Sequence, residues 1–273
     1  MIKKLFIVLI LLLISISNIY SFEVSDNNNR GYWAMEDLTD STGRSGTLTN
    51  FGATSGFTGK INDSYNFSND RMAYTFNSFN QNEGTISAWV NMDVLPSGTE
   101  KYVFGSTGSG NSRLRLNVDT GGLVNCALGD GGLTGSTALS ANTWYLVTCT
   151  WDSSGYGQIY LNDGLEDNQS RFFDATPSGY YLGDYSNTLG RYWQGRIDEV
   201  NIWNKSLTSD EITTLYNTGS GCGYDFSDCA AAPDYAPTII TNQTNGTYYN
   251  YQPSINLNTT TNTNMSYILN RGS

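Results

Sequence analysis

Between Gly31 and Trp203 the chain repeats one pattern: short apolar runs, many alternating with polar residues, separated by clusters of Gly, Asn, Asp and Ser. RLRLNVD (113 to 119) is the clearest case, with Leu114, Leu116 and Val118 on one face and Arg113, Arg115 and Asn117 on the other. TISAWVNM (85 to 92) sets Ile86, Ala88, Val90 and Met92 together in the same way. A period of two means an extended chain with one face in a core and one in water. TWYLVTCTWD and GQIYLNDG, joined by SSGY, read as a hairpin whose second strand ends at the Asn-Asp-Gly turn signal. More than eight such runs predict an all-β, two-sheet antiparallel sandwich.

One segment departs from that period. In LTSDEITTLY (207 to 216), Thr208 and Glu211 make a capping box and Leu207 is placed to staple against Ile212. Ile212, Leu215 and Tyr216 share a face. The expectation is one short C-terminal helix, apolar on one side, that closes the sandwich.

The chain ends suggest export and a modular architecture. Lys3 and Lys4, the apolar run Leu5 to Ile14 and the small polar stretch to Ser21 describe a secretory signal peptide over 1–21. The run is short of the roughly 20 residues that span a bilayer, so no membrane insertion is expected. Residues 22–221 then form the β domain, 222–236 a linker with a small disulfide loop, and 237–273 a strand-rich segment resembling the start of an immunoglobulin-like domain. About 37 residues cannot bury a sandwich alone. The chain therefore reads as part of a larger multidomain surface protein.

The 273 residues carry a formal charge of −11, and loss of Lys3 and Lys4 takes it to −13. Nucleic acid and anionic membranes would repel such a chain. There is no histidine, which excludes imidazole bases and His-ligated zinc. The four cysteines, Cys126, Cys149, Cys222 and Cys229, are even in number in an exported chain, and local pairing of each couple is expected. Cys126 and Cys149 are in phase with the apolar residues of their runs, which places their bond across neighbouring strands or between facing ones. A zinc site is the alternative, though neither couple has the two-residue spacing of a zinc knuckle.

NRGYWAMEDLTDSTGRSGTLTNFGA, EGTISAWVNM, ALSANTWYLVTCTWD, QIYLNDG and GRIDEVNIWNKSLTSDEITTLYN resemble, in this order, successive strands of laminin-G-like, concanavalin-A-like jelly-roll domains over residues 30 to 218. The resemblance implies a jelly roll used mostly as a non-catalytic, secreted or cell-surface module. Such modules often bind glycans or glycoproteins and often hold one structural calcium. The alternatives on the same fold are a glycoside hydrolase or its accessory domain, and a structural spacer of a surface array.

GRIDEVNIW places Asp198 and Glu199 side by side. On an extended strand adjacent side chains point to opposite faces, so the two are not expected to flank one glycosidic bond. Glycosidases on this jelly roll carry their acids at alternating positions of one strand, and no two acids here are separated by a single residue. No enzyme is expected. The resemblance implies instead that Asp40, in Asp40-Ser41-Thr42-Gly43, and Asp198 hold calcium, which accepts mixed backbone and carboxylate oxygens. The alternative is that Asp40 starts a turn and that Asp198 or Glu199 pairs with Arg196 or Arg191. Tyr180, Tyr181, Tyr185, Tyr192 and Trp193 cluster in GYYLGDYSNTLGRYWQG, where exposed rings would stack on sugars, or where alternation would send about half of them into the core.

Overall fold

The structure, a computed structural model, describes residues 28–74, 80–107, 113–129, 131–171, 177–185, 190–223 and 229. The expected signal peptide and the immunoglobulin-like segment lie outside the described residues. The described residues form fifteen strands: β1 (Asn29–Trp33), β2 (Thr49–Phe51), β3 (Thr54–Thr58), β4 (Asp63–Ser68), β5 (Arg71–Tyr74), β6 (Gly84–Met92), β7 (Lys101–Ser106), β8 (Leu114–Val118), β9 (Leu123–Leu128), β10 (Gly131–Ala138), β11 (Trp144–Trp151), β12 (Tyr156–Leu161), β13 (Gly164–Ser170), β14 (Tyr180–Leu182) and β15 (Gln194–Trp203). They form two antiparallel sheets, as the alternation predicts. An eight-stranded sheet runs β13-β12-β11-β6-β15-β4-β3, with β1 also on β15, and a seven-stranded sheet runs β10-β9-β8-β7-β14-β5-β2.

The main core lies between the sheets and takes the residues whose phase the sequence shows, among them Ile86, Val90, Leu114, Leu116 and Val118. β6 is buried along its whole length, because its other face is covered too. Trp89, Leu146, Tyr160 and Trp203 stand on the outside of the eight-stranded sheet, where Leu207, Ile212, Leu215 and Cys222 pack on them. Full burial of a large apolar side chain is worth roughly 1.5–3 kcal/mol, which suffices to hold a short helix that is marginal alone.

That helix, α1 (Ser209–Tyr216), has the predicted capping box: Glu211 N donates to Thr208 Oγ1 at 3.3 Å and Thr208 N to Glu211 Oε2 at 2.8 Å. It covers the back of one sheet rather than closing the gap between the two. Cys222, expected in a linker, is buried against it and is bonded to Cys229.

The Cys126–Cys149 disulfide also has a firmer role than a bond between neighbouring strands. β9 belongs to the seven-stranded sheet and β11 to the eight-stranded one, so the bond ties the two sheets through the core. Both cysteines are fully buried.

β15 sets the position of the acids discussed next. Its first residues, Gln194 to Ile197, pair with β4, and its last, Val200 to Trp203, pair with β1. Where the partner changes, the strand bulges: its register on β6 slips between Asp198 and Asn201, and Glu199 has φ of 50°. A bulge adds one residue and lets Ile197 and Val200 both reach the core.

Candidate functional site

Two regions hold the candidate groups. The first is the β15 bulge. Because Glu199 is the extra residue of the bulge, simple alternation does not govern the pair Asp198 and Glu199. Both are buried, at 0% and 2% exposure. Asp198 Oδ2 accepts from Lys60 N (2.6 Å) and Ile61 N (3.1 Å), and Oδ1 accepts from Glu199 N (3.0 Å). The loop entering β4 comes this close because residue 59 is glycine: a Cβ there would lie 2.5 Å from Asp198 Oδ2. Burial pushes the Asp198 carboxyl up to about 7; the backbone donors oppose this and the nearby Glu36 adds to it. Glu36 is itself raised, first by burial. Glu199 Oε2 accepts from the Tyr32 hydroxyl.

Asp40 lies elsewhere in this network. Its Oδ1 accepts from Tyr32 N (2.9 Å) and Thr42 N (3.0 Å), its Oδ2 from Ser45 N (2.5 Å), and Thr42 Oγ1 donates to both at 2.8 Å. Asp40 shares no hydrogen-bond partner with Asp198. Its oxygens face donors, as those of a turn-forming aspartate do, and the oxygens of Asp198 likewise face three backbone N–H groups. Glu36 is exposed, and its charge adds to the upward shift of the buried Asp198 carboxyl. Among the described residues no group of three or more His, Cys, Asp or Glu is gathered for a metal. Neither expected arginine partner is used: Arg191 pairs with Glu100, and Arg196 donates to Thr58 O and lies over Trp144.

The second region is the outer face of the seven-stranded sheet. Of the five aromatics singled out in the sequence, Tyr180 and Trp193 are core residues. Tyr180 stacks on Tyr74 and donates its hydroxyl to Pro177 O, and Trp193 Nε1 donates to Arg196 O. Tyr181, Tyr185 and Tyr192 keep partial exposure. Strand pairing puts Arg115, Gly105, Tyr181, Ala73 and Thr49 in one row across the sheet. The chain after β14 folds Tyr185 directly over Gly105, where a Cβ would lie 2.2 Å from Tyr185 Cα. The Tyr185 ring packs on Tyr102, centroids 4.6 Å apart, with the Arg115 guanidinium 4.2 Å and the Arg191 guanidinium 5.6 Å from its centre. Along the same face Arg71 lies 4.6 Å over Phe51 and 6.0 Å from Tyr181. Sequence reasoning missed Phe51, Arg71, Tyr102 and Arg115, because their alternation shows that they face outward but not that they share a surface.

The comparisons agree with this architecture. The Laminin_G_3 family, described as the Concanavalin A-like lectin/glucanases superfamily, matches residues 66–213, more than half of the chain. The chain belongs to this superfamily. Among solved structures, this lectin/glucanase-type chain is similar to domain 4 of AbnA, a GH43 extracellular arabinanase from Geobacillus stearothermophilus, in complex with arabinotriose: 18% identity, TM-score 0.56, covering 68% of this chain and 97% of that one. It is also similar to the binding domain of Paraclostridial Mosquitocidal Protein 1, at 17% identity and TM-score 0.59, covering 71% of this chain and 53% of that one. The botulinum neurotoxin serotype D binding domain matches at 20% identity and TM-score 0.58, with 71% and 52% covered. This chain thus spans about half the length of the two toxin domains. At these identities the likeness shows the fold. Among curated proteins there is no match to the chain. No helix among the described residues is long and apolar enough to cross a membrane.

Proposed function

We propose that this chain is an exported, non-catalytic recognition module that binds glycan or glycoprotein on the outer face of its seven-stranded sheet, in a secreted or cell-surface multidomain protein. The observation that carries the reading is the row of Tyr181 and Tyr185 between arginines on an open sheet face. Partly exposed tyrosines offer flat apolar surface to the C–H faces of sugars while their hydroxyls stay wet. The arabinotriose complex of the similar arabinanase domain supports this use of the fold. The non-catalytic part of the reading rests on burial: Asp198 and Glu199 are enclosed and held by separate partners, so a glycosidic bond has no path to them.

A glycan array probed with the full chain tests it. Binding to a subset of glycans is expected, weakened about tenfold by Tyr181→Ala or Tyr185→Ala. Silence across the array, or binding indifferent to both substitutions, refutes the site. Polysaccharide hydrolysis abolished by Glu199→Gln refutes the non-catalytic reading.

We also propose that a structural calcium is held by Asp198 with Glu36, without Asp40. Bound calcium would supply the positive charge that the buried Asp198 lacks. At a hundredfold excess over its dissociation constant it should stabilise the fold by about 2.7 kcal/mol, a rise of roughly 5 to 10 °C in melting temperature. The shift should vanish in Asp198→Asn and persist in Asp40→Asn. Equal melts in calcium and in chelator sink the proposal, and a shift lost only in Asp40→Asn reverses the assignment.

A further inference from the structure

We infer that the ligand of this face is an acidic polysaccharide whose sugars bear carboxylates, with Arg71 as its main anion-binding residue and Arg115 as a second. The inference rests on the reading of the face as a glycan site and names the class of glycan. It begins with how charge is divided between the sheets. The seven strands β2, β5, β7, β8, β9, β10 and β14 contain no aspartate or glutamate, and they contain Arg71, Lys101 and Arg115. The other sheet holds Asp63, Glu166, Asp167, Asp198 and Glu199 against Arg30 and Arg196. In a chain of formal charge −11, one sheet face is thus kept free of acids on its strands.

The arginines on that face differ in how far they are neutralised. Arg191 is paired with Glu100. Arg71 forms no ion pair and no side-chain hydrogen bond among the described residues; its neighbours are the rings of Phe51 and Tyr181, and its Nε is buried without a partner. A guanidinium lying on aromatic rings keeps its charge and its planar fork of donors, held at reduced conformational cost. That fork matches a carboxylate better than it matches neutral hydroxyls. Phe51, 48% exposed, adds apolar surface beside it.

Arg115 also lies against a ring, while its Nε donates to Ser106 O at 3.3 Å. Its guanidinium lies over Tyr185, and burial is the first cause holding its pKa below the ordinary value. β8 and β5 are three strands apart in the sheet, about 14 Å at the usual strand spacing. Arg115 and Arg71 therefore stand on either side of Tyr181, a pattern suited to a chain carrying repeated negative charge with sugar faces between.

The test is binding of the full chain to polygalacturonate, hyaluronan and alginate, each beside its carboxyl-reduced form, with dextran sulfate as the sulfate arm. At least one uronate polymer should bind, and its carboxyl-reduced form should bind at least tenfold more weakly. Arg71→Gln and Arg115→Gln should each lose about tenfold, the scale of a charge-assisted hydrogen bond. Arg71→Lys, which keeps the charge without the fork, should fall between. Binding should weaken as salt rises from about 0.05 to 0.5 M. Neutral glycans bound through Tyr181 with no preference for carboxylates overturn this inference and leave the glycan site standing. Dextran sulfate bound as tightly as the best uronate overturns the choice of carboxylate. Binding to no glycan at all removes both readings. Uronate binding unchanged in both glutamine variants overturns the arginine assignment, and the two variants are independent should one fail to fold.

Discussion

Replacing Cys126 and Cys149 together by alanine should destabilise the domain by about 3 kcal/mol and lower its melting temperature by about 10 °C. The bond closes a loop with sequence separation 23, and its loss returns that freedom to the unfolded chain. Its place adds to the expected loss. β9 and β11 lie in opposite sheets and share no backbone hydrogen bonds, so this bond is the covalent tie across the main core among the described residues. The same substitution should steepen the denaturant dependence of unfolding, because the unlinked chain exposes more surface. Thermal and urea melts of parent and double variant, with non-reducing peptide mapping of the parent, check this. A variant melting within 2 °C of the parent, or a map joining Cys126 to Cys222, refutes it.

The cysteine pair also illustrates what a sequence of this kind discloses. Phase is local, so the inward direction of Cys126 beside Val124 and Leu128, and of Cys149 beside Val147 and Trp151, was legible, as were Leu114, Leu116, Val118 and the Thr208–Glu211 capping box. Which sheet a strand joins is not local. Phase alone therefore allows the bond between neighbours as readily as between layers. The same limit hid the arginine and aromatic face: residues 51, 71, 115, 181 and 185 meet because β8, β7, β14, β5 and β2 are adjacent, an order that no window of sequence contains. Tyr180 and Trp193 lie in a loop-rich segment, where the sequence alone does not separate exposed rings from core rings. Yet β14 has only three residues, and Tyr180 and Leu182 both point inward from it. At Glu199 a local rule failed for a local reason. Alternation assumes an unbroken ladder, and β15 breaks its ladder where β4 gives way to β1.

That break leads to the second large effect. In chelator, the stability of the protein should fall as pH rises from about 4 to about 7. The Asp198 carboxyl titrates near its ordinary 3.8 in the unfolded chain and at about 7 in the folded one. Between these values the folded chain holds a proton that the unfolded chain has released. Protons then favour folding; the contribution is complete below about pH 4 and is lost as pH passes 7. At about 1.4 kcal/mol per pH unit, the loss approaches 4 kcal/mol at most. Glu36, also raised by burial, acts in the same direction. Asp152 and Glu166, whose carboxyls are lowered by local hydrogen bonds against the effect of burial, act in the opposite one. The contribution of Asp198 is therefore read as a difference. Asp198→Asn keeps an oxygen for Lys60 N and Ile61 N but turns an amide toward Glu199 N, so it should start less stable than the parent at pH 4.5. Because it cannot ionise, it should recover several kcal/mol relative to the parent by pH 7.5. Urea melts of both proteins at the two pH values measure this. Parallel changes in parent and variant would show that Asp198 ionises as freely in the folded chain as in the unfolded one. Calcium added at pH 7.5 should restore much of the parent's lost stability and leave the variant unmoved, since a cation beside Asp198 and Glu36 does for the ionised carboxyls what the proton does at low pH.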